Sequence, residues 1–149
     1  MNMLVLCCLF PLSLLAGQQD LEMLLKEVDT VIECKDSYIL PKEKELSELR
    51  LRLKNTKNNR QKYELCDKLF TAYLHYQADS ALSYVERKQE LLPFLDEPVL
   101  EQELIINRAE VMGVMGMYSW AEQLLSQVKP GILTPELLGY YYRTMRANY

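Results

Sequence analysis

The residues Gly116-Met117-Tyr118-Ser119-Trp120-Ala121 decide the fold of this chain. Ala109 lies seven residues before Gly116, and Leu125 lies four residues after Ala121, so small and large side chains alternate at helical spacings. Small residues let two antiparallel helices approach closely, while larger ones fill the gaps between turns. The stretch therefore predicts a hairpin of two packed helices that turns at Gly116 and Met117.

The composition of the chain favours one all-α domain. Of its 149 residues, 49% are hydrophobic, which is enough to form a core. The 5 Gly and 6 Pro are too few for a turn-rich β fold. The net charge of −4 argues against a general nucleic-acid binder or membrane-surface binder.

Positive charge is concentrated between Lys42 and Lys62. This segment has eight Lys or Arg residues and three Glu residues, so it carries +5 while the rest of the chain carries −9. Two interpretations stay open, namely a solvated helix face followed by a loop, or a basic docking surface.

Residues 1–17 have the composition of a secretory signal peptide. The apolar run from Leu4 to Leu15 is too short to span a bilayer comfortably, and Leu15-Ala16-Gly17 offers small residues for cleavage. The sequence then becomes polar at Gln18. We expect an exported, periplasmic protein, attached to the cell envelope if it is part of a longer membrane protein. The alternative is an apolar start to the first helix.

Hydrophobic periodicity and capping residues predict about seven helices. The first runs from Gln19 or Asp20 to near Cys34, and the second begins between Ser37 and Pro41 because proline is tolerated in the first turn. The others are expected at 60–76, 80–92 after an Asp79 cap, 97–115, 118–128, and from Pro135 after a Thr134 cap. We expect the apolar seam of the second helix to pack against the first helix: Ile39, Leu46, Leu49, Leu53.

The two central hairpins resemble tetratricopeptide repeats (TPRs). In the fifth and sixth helices, residues fall on the repeat's small, large and turn positions: Ala109, Met112, Gly116, Tyr118, Ala121, Leu125. The third and fourth helices resemble the repeat more loosely around Ala81. Ala81 and Ala121 are 40 residues apart, compared with about 34 in a typical repeat, and the loop at 93–98 accounts for the excess.

The fold predicted is all-α, with antiparallel helical hairpins stacked as a short TPR-like α-solenoid. Its parts are a signal peptide (1–17), an N-terminal helical hairpin (18–56), and TPR-like repeats (57–149) comprising two hairpins and the first helix of a third.

The order of short motifs along the whole chain also resembles a narrower family. These motifs follow the leader and the leucine-rich first helix: Tyr38, Lys42-Glu43, Tyr63-Glu64-Leu65, Leu69-Phe70, Asp79-Ser80-Ala81-Leu82, Gly116-Met117-Tyr118, Tyr140-Tyr141-Tyr142. The order resembles the N-terminal TPR region of exported or membrane-anchored transcriptional regulators from Bacteroidetes. The resemblance implies that this region precedes a membrane-spanning helix, a coiled coil and a cytoplasmic DNA-binding domain. We expect contact with the membrane through such a C-terminal segment alone.

Residue patterns of common enzymes and metal sites are missing from the sequence. It has no nucleophile elbow, metalloprotease pair, phosphate loop or dinucleotide-binding glycines. We interpret His75, the single histidine, as structural or exposed. After cleavage of the leader, Cys34 and Cys66 are too few for a zinc site, and either one disulfide or two buried thiols is expected. We therefore expect no enzyme, cofactor or metal.

The functional surface of a repeat array is its concave face, formed by the first helix of each hairpin. The repeat pattern places six residues there: Glu64, Asp67, Thr71, Glu103, Ile106, Glu110. Because four of the six are acidic, one hypothesis is a groove that binds a basic or amine-bearing peptide. The other is ordinary surface acidity without a role in binding.

These observations predict a non-catalytic interaction or sensor domain whose partner is a protein or peptide. Its expected context is the periplasmic part of a transmembrane transcriptional regulator, and we expect this segment to bind no nucleic acid. The alternative is a free-standing exported binding or scaffold protein.

The leader gives the first testable prediction. Because residues 1–17 have the composition of a signal peptide, protein recovered from the periplasm should lack them. Intact mass spectrometry measures this directly. A mass that includes residues 1–17 would contradict cleavage.

Overall fold

The computed structural model describes residues 10–148, and it describes side chains from residue 21 onward. Its seven α-helices are α1 (Phe10–Glu33), α2 (Lys35–Asn55), α3 (Asn59–Tyr73), α4 (Ala78–Leu91), α5 (Pro98–Val114), α6 (Tyr118–Leu125) and α7 (Pro135–Asn148). Short 3-10 turns follow α4 and precede α7. All regular structure between residues 10 and 148 is helical, which confirms the all-α prediction.

Residues 1–9 of the predicted leader lie outside the described residues. The cleavage prediction therefore stays a prediction. The expected start of the first helix near Gln19 or Asp20 was wrong, because α1 is already helical from Phe10. Among the helices described from residue 10 onward, none combines the length and the apolar character that a membrane span requires.

The chain divides into two compact units, Met1–Lys44 and Glu45–Tyr149. In the first unit the apolar side chains of α1 are more than half exposed: Leu21, Leu24, Leu25, Val28, Val31, Ile32. The expected start of α2 between Ser37 and Pro41 was wrong, because α2 begins at Lys35 and Pro41 lies inside it. The Ser37 amide donates to the Cys34 carbonyl at 3.0 Å, so the helix is already under way before the proline. The predicted domain boundaries at 17 and 56 stay predictions.

The second unit consists of two helical hairpins and a single final helix. α3 packs on α4, α5 packs on α6, and α7 lies against both α5 and α6. Ala81, Ala109 and Ala121 are fully buried in the core, as expected for small residues at the contact between paired helices. Leu46, Leu49 and Leu53 of α2 belong to this same core, whereas we expected them to pack against the first helix.

Several helix ends differ from the sequence-based prediction by two or three residues. Gln77, not Asp79, is the N-cap of α4, because the Ala81 amide already donates to the Gln77 carbonyl at 3.1 Å. α3 ends at Tyr73 instead of Tyr76, and α6 ends at Leu125 instead of Val128. The predicted Thr134 cap is confirmed, since its hydroxyl accepts from the Leu137 amide at 3.3 Å.

Gly116 closes the turn between α5 and α6. Its φ is +77°, a left-handed conformation that side chains with a Cβ adopt only with strain. The Met117 amide donates to the Met112 carbonyl at 2.8 Å, and the Gly116 amide donates to Gly113 at 3.0 Å. These two bonds form a Schellman motif, which ends α5 and lets α6 return along it.

Replacing glycine by alanine should have opposite effects on stability at Gly116 and at Gly139. Gly116→Ala should lower the free energy of unfolding by about 1 kcal/mol because alanine is strained at positive φ. Gly139→Ala should raise it by about 0.5–1 kcal/mol, because Gly139 is exposed inside α7 and a Cβ there meets nothing within 4 Å. Urea unfolding measures both values. Equal effects at the two glycines would contradict the role of the Gly116 turn.

Candidate functional site

An open groove of about 740 Å³ lies along α3, α5 and α7. α3 and α5 are the first helices of their hairpins, and α7 follows the second hairpin as a single helix, so the groove is on the face predicted from the repeat pattern. It is lined by polar residues from all three helices: Asp67, Thr71, Glu103, Asn107, Glu110, Tyr140. A smaller recess of about 330 Å³ adjoins it and shares Arg60, Asp67 and Glu103.

The floor of the groove is organised by a buried lysine from α4. Lys88 is 0% exposed, and its Nζ donates to Asp67 Oδ1 at 2.5 Å, Glu103 Oε1 at 2.5 Å and Asn107 Oδ1 at 2.7 Å. The ammonium also lies 4.7 Å from the centroid of the Tyr63 ring and 5.7 Å from that of Phe70. All three donor positions are thus used, and two aromatic faces contact the cation, as a buried charge requires.

A second set of hydrogen bonds joins this floor to α7. Asn107 Nδ2 donates to the Tyr140 hydroxyl at 3.0 Å, and that hydroxyl donates to the Glu110 carboxylate. Burial raises the pKa of Tyr140, and the neighbouring Glu110 charge raises it further, so the hydroxyl keeps its proton. The chain Lys88–Asn107–Tyr140–Glu110 therefore connects α4, α5 and α7 across the groove.

At the other end, Arg60 joins α3 to the start of α5. Its guanidinium contacts Glu97 Oε1 at 2.5 Å and Glu64 Oε1 at 3.3 Å. Nearby, Tyr63 is 3% exposed and lines the smaller recess, and its hydroxyl has no hydrogen-bond partner within the described part of the chain. Burial raises the pKa of Tyr63, and the charges of Glu103 and Asp67 raise it further, so the hydroxyl keeps its proton.

The groove carries an excess of negative charge. Counting the described residues around it, five carboxylates belong to Asp67, Glu97, Glu103, Glu110 and Glu136. Three cations oppose them, Arg60 and Arg143 on the surface and Lys88 beneath it. The charge left over is therefore negative, and Glu110 and Glu136 form no ion pair with any residue of the described range.

The structure brings four of the six predicted site residues into the main groove, namely Asp67, Thr71, Glu103 and Glu110. Glu64 lies in the adjoining recess. Ile106 does not line the groove, because it is fully buried in the core, and the neighbouring Asn107 takes its place. The role of these residues in binding stays a prediction.

Sequence reasoning missed Lys88 and Tyr140, the two residues that organise the groove. A signal for Lys88 was present, since it continues the buried positions Ala81, Tyr84 and Val85 of α4 at helical spacing. Tyr140 is one of three consecutive tyrosines, 140–142, and the sequence pattern alone does not distinguish a seal for the array from an aromatic binding face. In the structure Tyr141 is buried, Tyr142 is 56% exposed, and Tyr140 faces the groove.

The two cysteines of the described range differ from both expectations for them. Cys34 is exposed and Cys66 is buried, and both thiols are free, so they form neither a disulfide nor a pair of buried thiols. Burial raises the pKa of Cys66, which makes it a poor nucleophile. Among the side chains described from residue 21 onward, no three His, Cys, Asp or Glu residues are placed to hold a metal ion.

A protein-family model matches most of the chain. It is described as the SusR N-terminal TPR domain and covers residues 32–149. No curated protein and no solved structure matches the chain.

The buried lysine gives a prediction for stability. Asp67→Asn with Glu103→Gln should lower the free energy of unfolding by about 3 kcal/mol, because a buried cation loses both counter-charges. Adding Lys88→Met should recover at least about half of that loss, since an apolar side chain of similar size needs no partner.

Glu64→Gln is the matched control for this series. Its side chain is 58% exposed and its ion pair with Arg60 is hydrated, so the change should stay below about 0.5 kcal/mol. Urea unfolding measures all of these variants. If Lys88→Met deepened the loss, the lysine would not be held by the two carboxylates.

Proposed function

This chain belongs to the SusR N-terminal TPR domain family, and from that premise we propose that it is a non-catalytic interaction domain whose groove binds a basic peptide segment. TPR domains act as scaffolds for protein–protein interaction, and they generally bind along the face to which this groove belongs. The observation that carries the proposal is the excess of carboxylates over cations in a groove whose shape is already set by hydrogen bonds.

Lys88 holds two carboxylates of the groove in place. Its Nζ donates to one carboxylate oxygen of Asp67 and to one of Glu103. The side chains of these two residues are still 44% and 22% exposed. A ligand cation therefore meets oriented carboxylates that need little rearrangement on binding. Preorganisation of this kind reduces the entropic cost of association.

The wider context is also part of the proposal. We infer that the domain is the exported sensor portion of a transmembrane transcriptional regulator, at work in the periplasm. The family match to a SusR-type N-terminal region and the signal-peptide composition of residues 1–17 support this context. In that setting, occupation of the groove is the event that the regulator reports.

Neutralising the groove should weaken binding of a basic peptide. The probe is a short fluorescent peptide that alternates lysine and threonine, and the variant is Glu110→Gln with Glu136→Gln. Glutamine at 110 still accepts the Tyr140 hydrogen bond, so charge is removed while the network remains. We expect affinity measured by fluorescence anisotropy to fall about tenfold, as two lost charge contacts imply.

The control variant is Glu86→Gln with Glu122→Gln, which removes the same charge from exposed positions outside the groove. It should leave affinity within about twofold, and a peptide with glutamate in place of lysine should not bind. Equal losses in both variants, or no binding of the lysine peptide to the unmodified protein, would contradict the proposal.

A further inference from the structure

Part of the basic segment between Lys42 and Lys62 forms no ion pairs with the described residues. Between Arg50 and Lys62 there are six Lys or Arg residues and no acidic residue. Arg50 donates to the Tyr73 hydroxyl at 3.1 Å, and Arg60 is paired with Glu64 and Glu97. We call the stretch 52–57, which carries Arg52, Lys54 and Lys57, the basic tip.

The basic tip is exposed at the end of α2. All three of its cationic side chains are exposed, and none forms an ion pair with any described residue. It belongs to the same compact unit as the groove, Glu45–Tyr149. Three cations with no counter-charge among the side chains described from residue 21 to 148 are available to a partner.

Local hydrogen bonds hold the basic tip in one shape. The Thr56 hydroxyl donates to the Arg52 carbonyl at 2.8 Å, and the Thr56 amide donates to the Leu53 carbonyl at 3.3 Å. Next along the chain, the Asn58 side chain caps α3 by accepting from the Gln61 amide at 3.0 Å. An ordered loop loses little conformational entropy when it binds.

We propose that the basic tip of one copy of this chain binds the acidic groove of a second copy. The inference rests on the proposed function, because it names one occupant for the same groove. Charge complementarity supports it: three unpaired cations on the tip match the residual negative charge around Glu110 and Glu136.

The contact joins two different surfaces. Each copy therefore presents one tip and one groove, and association is head to tail unless a two-fold arrangement closes it. Exposed charges steer such a contact and add little affinity each, so the association is weak and depends on salt.

Sedimentation velocity of the purified chain tests this proposal. The unmodified protein should associate as its concentration rises, and the association constant should fall at least about tenfold between about 0.05 and 0.5 M salt. Arg52→Gln with Lys54→Gln and Lys57→Gln should abolish association. The control Lys26→Gln with Lys129→Gln and Arg146→Gln removes the same charge elsewhere and should preserve it.

Mixing two defective variants gives the sharpest result. The tip variant keeps its groove, and Glu110→Gln with Glu136→Gln keeps its tip. Each should be monomeric alone, whereas an equimolar mixture should form a 1:1 complex through one intact contact. A mixture that stays monomeric, or association that survives the tip variant, would overturn the inference.

Failure of the self-association proposal can be distinguished from failure of the proposed function. If the unmodified chain is monomeric at all concentrations but still binds the lysine peptide through Glu110 and Glu136, the self-association proposal fails and the groove's function remains. If the lysine peptide does not bind, the proposed function itself fails.

Discussion

The buried ammonium of Lys88 is the constraint on which the groove depends. A lysine that is 0% exposed must have its charge compensated, and here Asp67, Glu103 and Asn107 supply the acceptors while two aromatic rings face it. The lysine comes from α4, and its acceptors come from α3 and α5. The same contact that satisfies the charge therefore joins α3, α4 and α5, and it leaves the side chains of Asp67 and Glu103 partly exposed in the groove.

The framework around Lys88 follows from small residues and one turn. Ala81, Ala109 and Ala121 are fully buried and bring paired helices together, and Gly116 reverses the chain between α5 and α6. α7 then lies against the second hairpin, and its Tyr140 extends the hydrogen-bond chain from Asn107 to Glu110. Hydrophobic packing thus sets the array, while the polar network on one face gives it a charged groove.

The helices after residue 57 could be predicted from the sequence because glycine, proline and capping residues mark them locally. Contacts between distant elements could not. A lysine is normally exposed, so Lys88 was not recognised, although its spacing from Ala81 and Val85 places it in the core. On α5, Glu103 and Glu110 line the groove as predicted, but Asn107 does so in place of Ile106, which is fully buried in the core. Leu46, Leu49 and Leu53 of α2 were expected to pack against the first helix, but they belong to the core of the second unit. An apolar stripe on a helix does not specify its partner.

Nitrogen-15 NMR of the lysine side chains can measure whether the Lys88 ammonium is enclosed by Asp67, Glu103 and Asn107. We expect one Nζ–H signal at neutral pH whose protons exchange slowly with water. Lys88→Met should remove this signal, and Asp67→Asn with Glu103→Gln should shift or broaden it. If every lysine ammonium exchanged as fast as a surface group, or if the protected signal belonged to another lysine, the enclosure of Lys88 would be contradicted.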